Sequence, residues 1–331
     1  MDIKRLDERQ LRIILAAQLN ANTSIEALSR KTGYRQHIVR YVLRDLIAEQ
    51  LIRSSAVINT YQMGYLHFGI YVNFAFENER ARVSFVRKLA REPRVIDLFE
   101  LGGDYRLGLV IRVSEMEELL DFWRRMEHSK GVQVFQKEIT SRLCSSIFQR
   151  TYLLNNYNVK PGEKRQHLTF RREGDRLSVD QKDSSILDGL NQLEYNSQRE
   201  LARKMSLPHS TLERRIRIME ESGIIVGYVY GMVSHRFGIQ TYRLLIYTRG
   251  LGEQAWKKMH AIAKSEPNVV LLVQCLGSWD FEMLIEVEEG RTVDSVLQSL
   301  YRELGNELLS IKTLPLFRFL KSQHRIQLAV S

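Results

Sequence analysis

The stretch Leu201-Ala202-Arg203-Lys204-Met205-Ser206-Leu207-Pro208-His209-Ser210-Thr211-Leu212-Glu213-Arg214-Arg215-Ile216 decides how this sequence is read. A short helix opens at Ser197-Gln198-Arg199-Glu200, where a hydroxyl stands three residues before a glutamate, the spacing of a capping box. It breaks at Met205-Ser206-Leu207-Pro208, and a longer helix follows with Leu212, Ile216 and Met219 on its inward face. Closely crossing helices need a small residue at their contact, which Ala202 supplies. The turn between them needs a residue tolerant of positive φ, which Ser206 is only in part. Short helix, tight turn and longer helix make the helix-turn-helix plan. The β-rich run Ile224 to Tyr230 that follows reads as a wing hairpin.

The same plan stands earlier in the chain. Asp180 lies 173 residues after Asp7, and Leu201 after Leu28, Leu212 after Val39 and Ile216 after Leu43 keep that offset. One inserted residue later, Gly238 follows Gly64, Glu266-Pro267 follows Glu92-Pro93, Gly277 follows Gly103 and Val287 follows Val113, all at 174. Apolar positions persist where identities do not, as expected of an old duplication. In the first copy Asp7 caps a helix, with Gln10 at its third position and Leu6 and Leu11 as a hydrophobic staple. A second helix opens at Thr23-Ser24-Ile25-Glu26, Ser29 is its small residue, Gly33 makes the turn, and Val39, Leu43 and Leu46 line the third helix. Gln50 stands where the second copy has Gly223, and Leu51 to Ile58 reads as the other wing.

The second half of each copy alternates differently. Ile70, Val72, Phe74 and Phe76 mark a half-buried strand, Arg82 to Arg91 a helix ended by Pro93, and Val95–Leu101 and Arg106–Val113 two strands joined by the turn Gly102-Gly103-Asp104. A helix capped by Ser114 and a last strand after Gly131 complete the order βαββαβ, the ferredoxin-like unit. The second copy repeats it from Tyr242 to Phe319. The fold class is therefore α+β, two tandem modules, each a winged helix-turn-helix followed by a ferredoxin-like sandwich. Boundaries fall at 1–62 and 63–154 for the first copy and at 178–235 and 236–331 for the second. Residues 155–177, with Pro161-Gly162, Gly174 and many Arg and Lys, read as a basic linker.

The chain carries 49 Lys+Arg against 39 Asp+Glu among 331 residues, a net charge of +10, which suits a polyanionic partner. With the inward faces fixed, the outward faces of the third helices are Gln36, His37, Arg40, Tyr41 and Arg44 in one copy and His209, Ser210, Glu213, Arg214 and Arg217 in the other. Arginine forks onto guanine O6 and N7, glutamine bridges adenine N6 and N7, and tyrosine or serine holds phosphate. Apart from Glu213, which repels phosphate or reads cytosine, these nine residues are the expected contacts to double-stranded DNA. Two distant cysteines, Cys144 and Cys275, encode neither a disulfide framework nor a zinc site, and they fit a reducing compartment. The longest uncharged apolar stretch, Gly223 to Val233, is too short for a membrane span, and the start lacks the apolar core of a signal peptide, so a cytoplasmic protein is expected.

Catalytic patterns are absent from the sequence. The eight histidines form no HExxH or Cys/His ligand spacing, and no GxSxG, P-loop or GxGxxG-before-helix pattern occurs. No catalytic residue, metal or cofactor is expected.

The residues Leu201 to Met205, Thr211 to Ile216 and Met219 to Tyr228 resemble the DNA-binding domain of the Lrp/AsnC (feast/famine) transcriptional regulators. The turn Gly277-Ser278-Trp279-Asp280 is similar to the Gly-x-x-Asp turn of that family's ligand-sensing domain. The resemblance implies a sequence-specific regulator and a small amino-acid-like effector near Gly277, Ser278 and Asp280; a homodimer through the sandwich domains is expected because strands such as Phe68–Phe76 are apolar enough to need further cover. The matching turn of the first copy contains Gly103 and Asp104 but has Arg106 in the aspartate position, so the resemblance places the effector in the second copy. Siroheme decarboxylases use the same module in paired form, and His67, Arg112, His128 and His235 are the candidates for such chemistry. A protein-binding scaffold is the third reading.

Overall fold

The computed structural model describes residues 3–154, 165–192, 198–250, 252–288 and 293–322. The first copy runs α1 (Glu8–Ala17), α2 (Ile25–Thr32), α3 (Gln36–Ala48), β1 (Ile52–Ile58), β2 (Leu66–Phe76), α4 (Glu79–Arg91), β3 (Val95–Leu101), β4 (Leu107–Val113), α5 (Met116–Glu127) and β5 (Val132–Phe148). Strand β6 (His167–Arg171) precedes the second copy. That copy runs α6 (Gln181–Gln192), α7 (Gln198–Lys204), α8 (His209–Glu221), β7 (Ile225–Met232), β8 (Gln240–Thr248), α9 (Glu253–Ser265), β9 (Val269–Gly277), β10 (Phe281–Val287), α10 (Val293–Leu304) and β11 (Leu308–Ser322). Among the described residues no helix is long and apolar enough to cross a membrane.

Local chemistry explains the helix ends. The Asp7 carboxylate accepts the Gln10 N–H at 2.7 Å while the Gln10 side chain accepts the Asp7 N–H at 3.0 Å, closing the expected capping box. Ser24, rather than Thr23, caps α2. Ser114 does not cap α5; its N–H donates instead to the Glu118 carboxylate at 2.8 Å. The expected cap at Ser197 lies outside the described residues. Gly33 turns at φ 77°, and Ser206 adopts 53°, so the serine meets the positive-φ demand despite its Cβ.

The wings differ from expectation. Neither copy folds a hairpin of its own; β1 and β7 pair antiparallel with each other, Ser55 opposite Val229 and Ala56 opposite Tyr228. Tyr228 follows Ser55 by 173 residues, so the ribbon is its own image about a twofold axis between Ser55 and Ala56. Each strand satisfies the other's backbone groups, which a lone strand after α3 or α8 would leave unpaired.

The sandwiches merge. Each copy keeps the ferredoxin-like order, β5-β2-β4-β3 and β11-β8-β10-β9, but the edges join through β3–β11 and β9–β5, closing eight strands into a barrel with β6 appended to β5. Leu101 stands opposite Leu316 and Cys275 opposite Arg142; Glu100 opposite Arg318 and Gln274 opposite Cys144. Each of these residues has its counterpart 174 positions away in the other joint, so both joints share one register and both skip one residue, Phe317 in one and Leu143 in the other. Outside the barrel, Phe68, Ile70, Val72 and Phe74 pack with Phe85, Leu89, Phe122 and Trp123 of α4 and α5, and Leu244, Ile246, Met283 and Ile285 pack with Trp256, Met259 and Leu300 of α9 and α10. Alternation turns the residues between them, such as Tyr71, Leu245 and Leu284, into the lumen.

Two expectations change accordingly. The apolar strand near Phe68–Phe76, read as needing a second chain for cover, is covered on both faces within one chain. The segment read as a basic linker is structured from Arg165 onward. Arg165 is buried and donates to the carbonyls of Gln149, Ala263, Glu266, Pro267 and Val269, closing the C-terminal end of α9, and β6 then pairs with β5. Lys160 and Lys164 lie outside the described residues.

Candidate nucleic-acid interface

The inward faces of the third helices are fixed by burial: Val39, Val42, Leu43 and Leu46 on α3, and Leu212, Ile216 and Met219 on α8. Helical geometry then forces the opposite faces outward. Gln36, His37, Arg40, Tyr41 and Arg44 are all exposed, as are Ser210, Glu213, Arg214 and Arg217, while His209 is half-buried. The nine expected contact residues therefore fall on two surface rows, one per copy.

Exposed arginines elsewhere are commonly neutralised, as Arg12 is by Glu8, Arg82 by Glu79 and Arg318 by Glu100. Among the described residues Arg40, Arg44, Arg214 and Arg217 have no carboxylate partner. Arg44 instead lies over the Tyr41 ring, 5.9 Å from its centre. Arg215 is the contrast on α8: it turns inward and binds Asp180 and Asp183, both at 2.7 Å, so it braces the domain. In the second row Glu213 sits 3.5 Å from His209 Nδ1. The α3 row carries no acid of this kind.

The two turns matched to effector binding lie at the barrel joints. Asp280 accepts the Thr248 N–H at 2.5 Å and the Thr248 hydroxyl at 2.9 Å, and the Ser278 hydroxyl donates to Glu138 of the other copy. Gly277 packs so closely on Ile139 and Thr140 that a Cβ would meet their backbone atoms at 3.0 Å. In the first copy Gly103 makes the turn at φ 84°, and Asp104 pairs with Lys312 of the second copy at 3.1 Å. The Asp280 carboxylate is thus held within the second copy, by Thr248 of β8, while that of Asp104 reaches across to the second copy.

The four residues considered for tetrapyrrole chemistry do not converge. His67 and Arg112 are cross-strand neighbours on β2 and β4, but His128 is exposed at the end of α5 and His235 lies in the short 3-10 turn before β8. His67 is buried, bonded through Nε2 to the Thr60 hydroxyl at 2.8 Å; burial first and the charges of Arg142 and Arg112 second lower its pKa to about 3, so it is neutral near pH 7. No group of three or more His, Cys, Asp or Glu able to hold a metal occurs among the described residues.

Arg142, Arg150, Arg243, Glu282 and Glu286 belong to no motif in the sequence. Their signal was parity: in Phe281-Glu282-Met283-Leu284-Ile285-Glu286 the acids share the face of Leu284, which only a closed sheet turns inward.

A family model described as "Winged helix-turn-helix DNA-binding" matches residues 180–226. The HTH-type transcriptional regulator FL11 of Pyrococcus horikoshii is 25% identical over 129 residues, 39% of this chain and 84% of that protein. An uncharacterized HTH-type transcriptional regulator of Pyrococcus abyssi is 26% identical over 151 residues, 45% of this chain and 94% of that one. Among solved structures, the siroheme decarboxylase NirDL covers 95% of this chain and 93% of its own at a TM-score of 0.56 and 14% identity, which shows a shared double-module fold. Winged helix-turn-helix units joined to ferredoxin-like sandwiches define the class. Within it, this chain is similar to HTH-type transcriptional regulators such as FL11.

Proposed function

We propose that this chain is a sequence-specific DNA-binding transcriptional regulator that presents two unlike recognition helices from a single polypeptide. The carrying observation is the unneutralised arginine row on each third helix. Cations left without carboxylates on an outward helix face suit phosphate neutralisation, and Arg40, Gln36 and Arg44 add base-reading geometry. The names of the Pyrococcus relatives agree with this reading. The ribbon β1–β7 and the barrel tie the two units together, so one chain is expected to fill two half-sites without a second copy.

The test is an anisotropy titration of Arg40→Ala with Arg44→Ala against DNA at several salt concentrations. Each lost base contact should cost about 1–3 kcal/mol, and each lost phosphate contact should reduce the salt slope by about one. Unchanged affinity and slope would remove the first copy from the DNA-reading assignment and leave the scaffold reading in its place. The decarboxylase reading has less support, because two of its four candidate residues lie away from His67 and Arg112. Anaerobic addition of siroheme, followed by absorbance and product mass, separates it from the regulator; unchanged siroheme is the expected result.

A further inference from the structure

The barrel lumen holds charged groups that DNA recognition does not use. The Glu282 carboxylate lies 2.8 Å from the Arg243 guanidinium and 3.8 Å from that of Arg142, and it accepts the Trp279 indole N–H at 3.3 Å. These side chains are almost fully buried: Glu282 is 1%, Arg243 2% and Arg142 7% exposed. Arg142 and Arg243 thus share one carboxylate. Nearby Arg150 is held by Glu286 through bonds of 2.6 and 3.0 Å. Asp97 also lines the cavity wall.

The same groups carry unspent donors. Arg142 Nε, Arg243 Nε and His67 Nδ1 are buried without a hydrogen-bond partner, and all three residues line one cavity of about 130 Å³. Buried polar atoms are nearly always paired, so the two guanidinium N–H groups, joined by His67 Nδ1–H in the tautomer in which the Thr60 hydroxyl donates to Nε2, point to a missing acceptor. The fold itself does not require them. At the 174-residue offset Arg142 corresponds to Leu316, Arg243 to Gly69 and Glu282 to Gly108, and the barrel closes through those residues with no charge. Gly69 makes room for the cluster, since a Cβ there would stand 3.1 Å from Glu282 Oε1.

We propose that this cavity is a binding site for a small monocarboxylate with an apolar body, its carboxylate held by Arg142, Arg243 and His67 and its body against Ile96, Leu271 and Phe319. At ~30 Å³ per water the volume equals about four waters, which suits a small organic acid. Both copies build the site, His67 and Arg142 from the first and Arg243 from the second. An adjoining cavity of about 540 Å³ shares Thr60 and Ile96 with it and is lined by Arg53, Arg112 and Lys321, giving an anion a cationic approach. The site stands independently of what the third helices read.

The experiment uses the full chain in calorimetric and thermal-unfolding titrations with benzoate and butyrate, against benzamide and butyramide at matched ionic strength. The acids should bind saturably at millimolar concentration or below and raise the melting temperature, and the amides should bind at least about tenfold more weakly, having lost a charge-assisted contact. Glu282→Gln, which removes the lumen's own carboxylate, should tighten acid binding. The double variant Arg142→Met with Glu282→Gln, which removes one charge of each sign, should abolish the preference for acid over amide. Equal binding of acids and amides, no saturable binding of either acid, or an unchanged preference in the double variant would each overturn the proposal. Should the variants fail to fold, the acid–amide comparison on the unaltered chain decides it alone.

Discussion

The two joints that close the barrel share a register and a skipped residue, yet their chemistry is opposite. At β3–β11 the lumen receives Leu101, Leu316 and Phe99; at β9–β5 it receives Arg142, with Glu282 and Arg243 beside it. Strand pairing satisfies the backbone in both, so the side chains were free to diverge once the duplication had fixed the ladder. The third helices differ in the same way, one row without an acid and one carrying Glu213.

The comparison breaks most sharply at the charged joint. Arg243→Met leaves Glu282 buried with only the more distant Arg142, and it should cost about 3 kcal/mol or more, whereas Leu316→Val at the apolar joint should cost about 1 kcal/mol. Urea unfolding measures both, and equal losses would mean that the charged cluster is not buried as described.

Acid should expose the same asymmetry. His67 faces the lumen where the second copy has Thr241. Its folded pKa of about 3 lies below the ordinary histidine value, so between about pH 6.5 and 3 the unfolded chain binds the extra proton and stability falls as pH falls. The loss should reach roughly 2 kcal/mol or more over that span. His260, lowered to about 4 but half-exposed, adds a smaller part. The variant His67→Gln should flatten the stability–pH curve in this window; an unchanged slope would show that His67 is not the group responsible.

The plan of each module was legible because helix caps and apolar spacing are local. Asp7 and Gln10 cap one helix within three residues of each other, Gly33 ends the next by bonding to Ser29, and Val39, Leu43 and Leu46 report their own face. The closure was not legible. Pairings such as Leu101 with Leu316 join residues far apart in sequence, and no local pattern marks an edge strand that will meet another copy. Arg165 misled for a related reason: a buried arginine that caps a distant helix looks like a solvated linker charge until the carbonyls around it are known. The recognition rows were readable as exposed faces, while the lumen cluster required knowing which side of β10 becomes the inside.

On DNA, the acid-free row should dominate. Arg40→Ala with Arg44→Ala should cost about 1–3 kcal/mol per base contact, and Arg214→Ala with Arg217→Ala less, because Glu213 already weakens that row. Competition titrations rank the two pairs, and a larger loss from the second pair would reverse the comparison. The smallest effect concerns the ends of the same helices, where Gln50 adopts φ 56° and Gly223 75°. Gln50→Gly should relieve left-handed strain and stabilise by up to about 1 kcal/mol, while Gly223→Ala should cost a similar amount. Opposite signs in thermal melts are expected, and a loss in both would show that Gln50 is held by contacts that outweigh its strain.

The central claim is that one chain lays two unlike helices on one DNA. Selecting sites from random DNA, with the mass of the complex measured by light scattering, tests it directly. The account predicts one chain on an asymmetric site with two different half-sites, because the Gln36-His37-Arg40-Tyr41-Arg44 row and the His209-Ser210-Glu213-Arg214-Arg217 row cannot read the same bases. A single chain on a short perfect palindrome, or no enriched sequence at all, would contradict it.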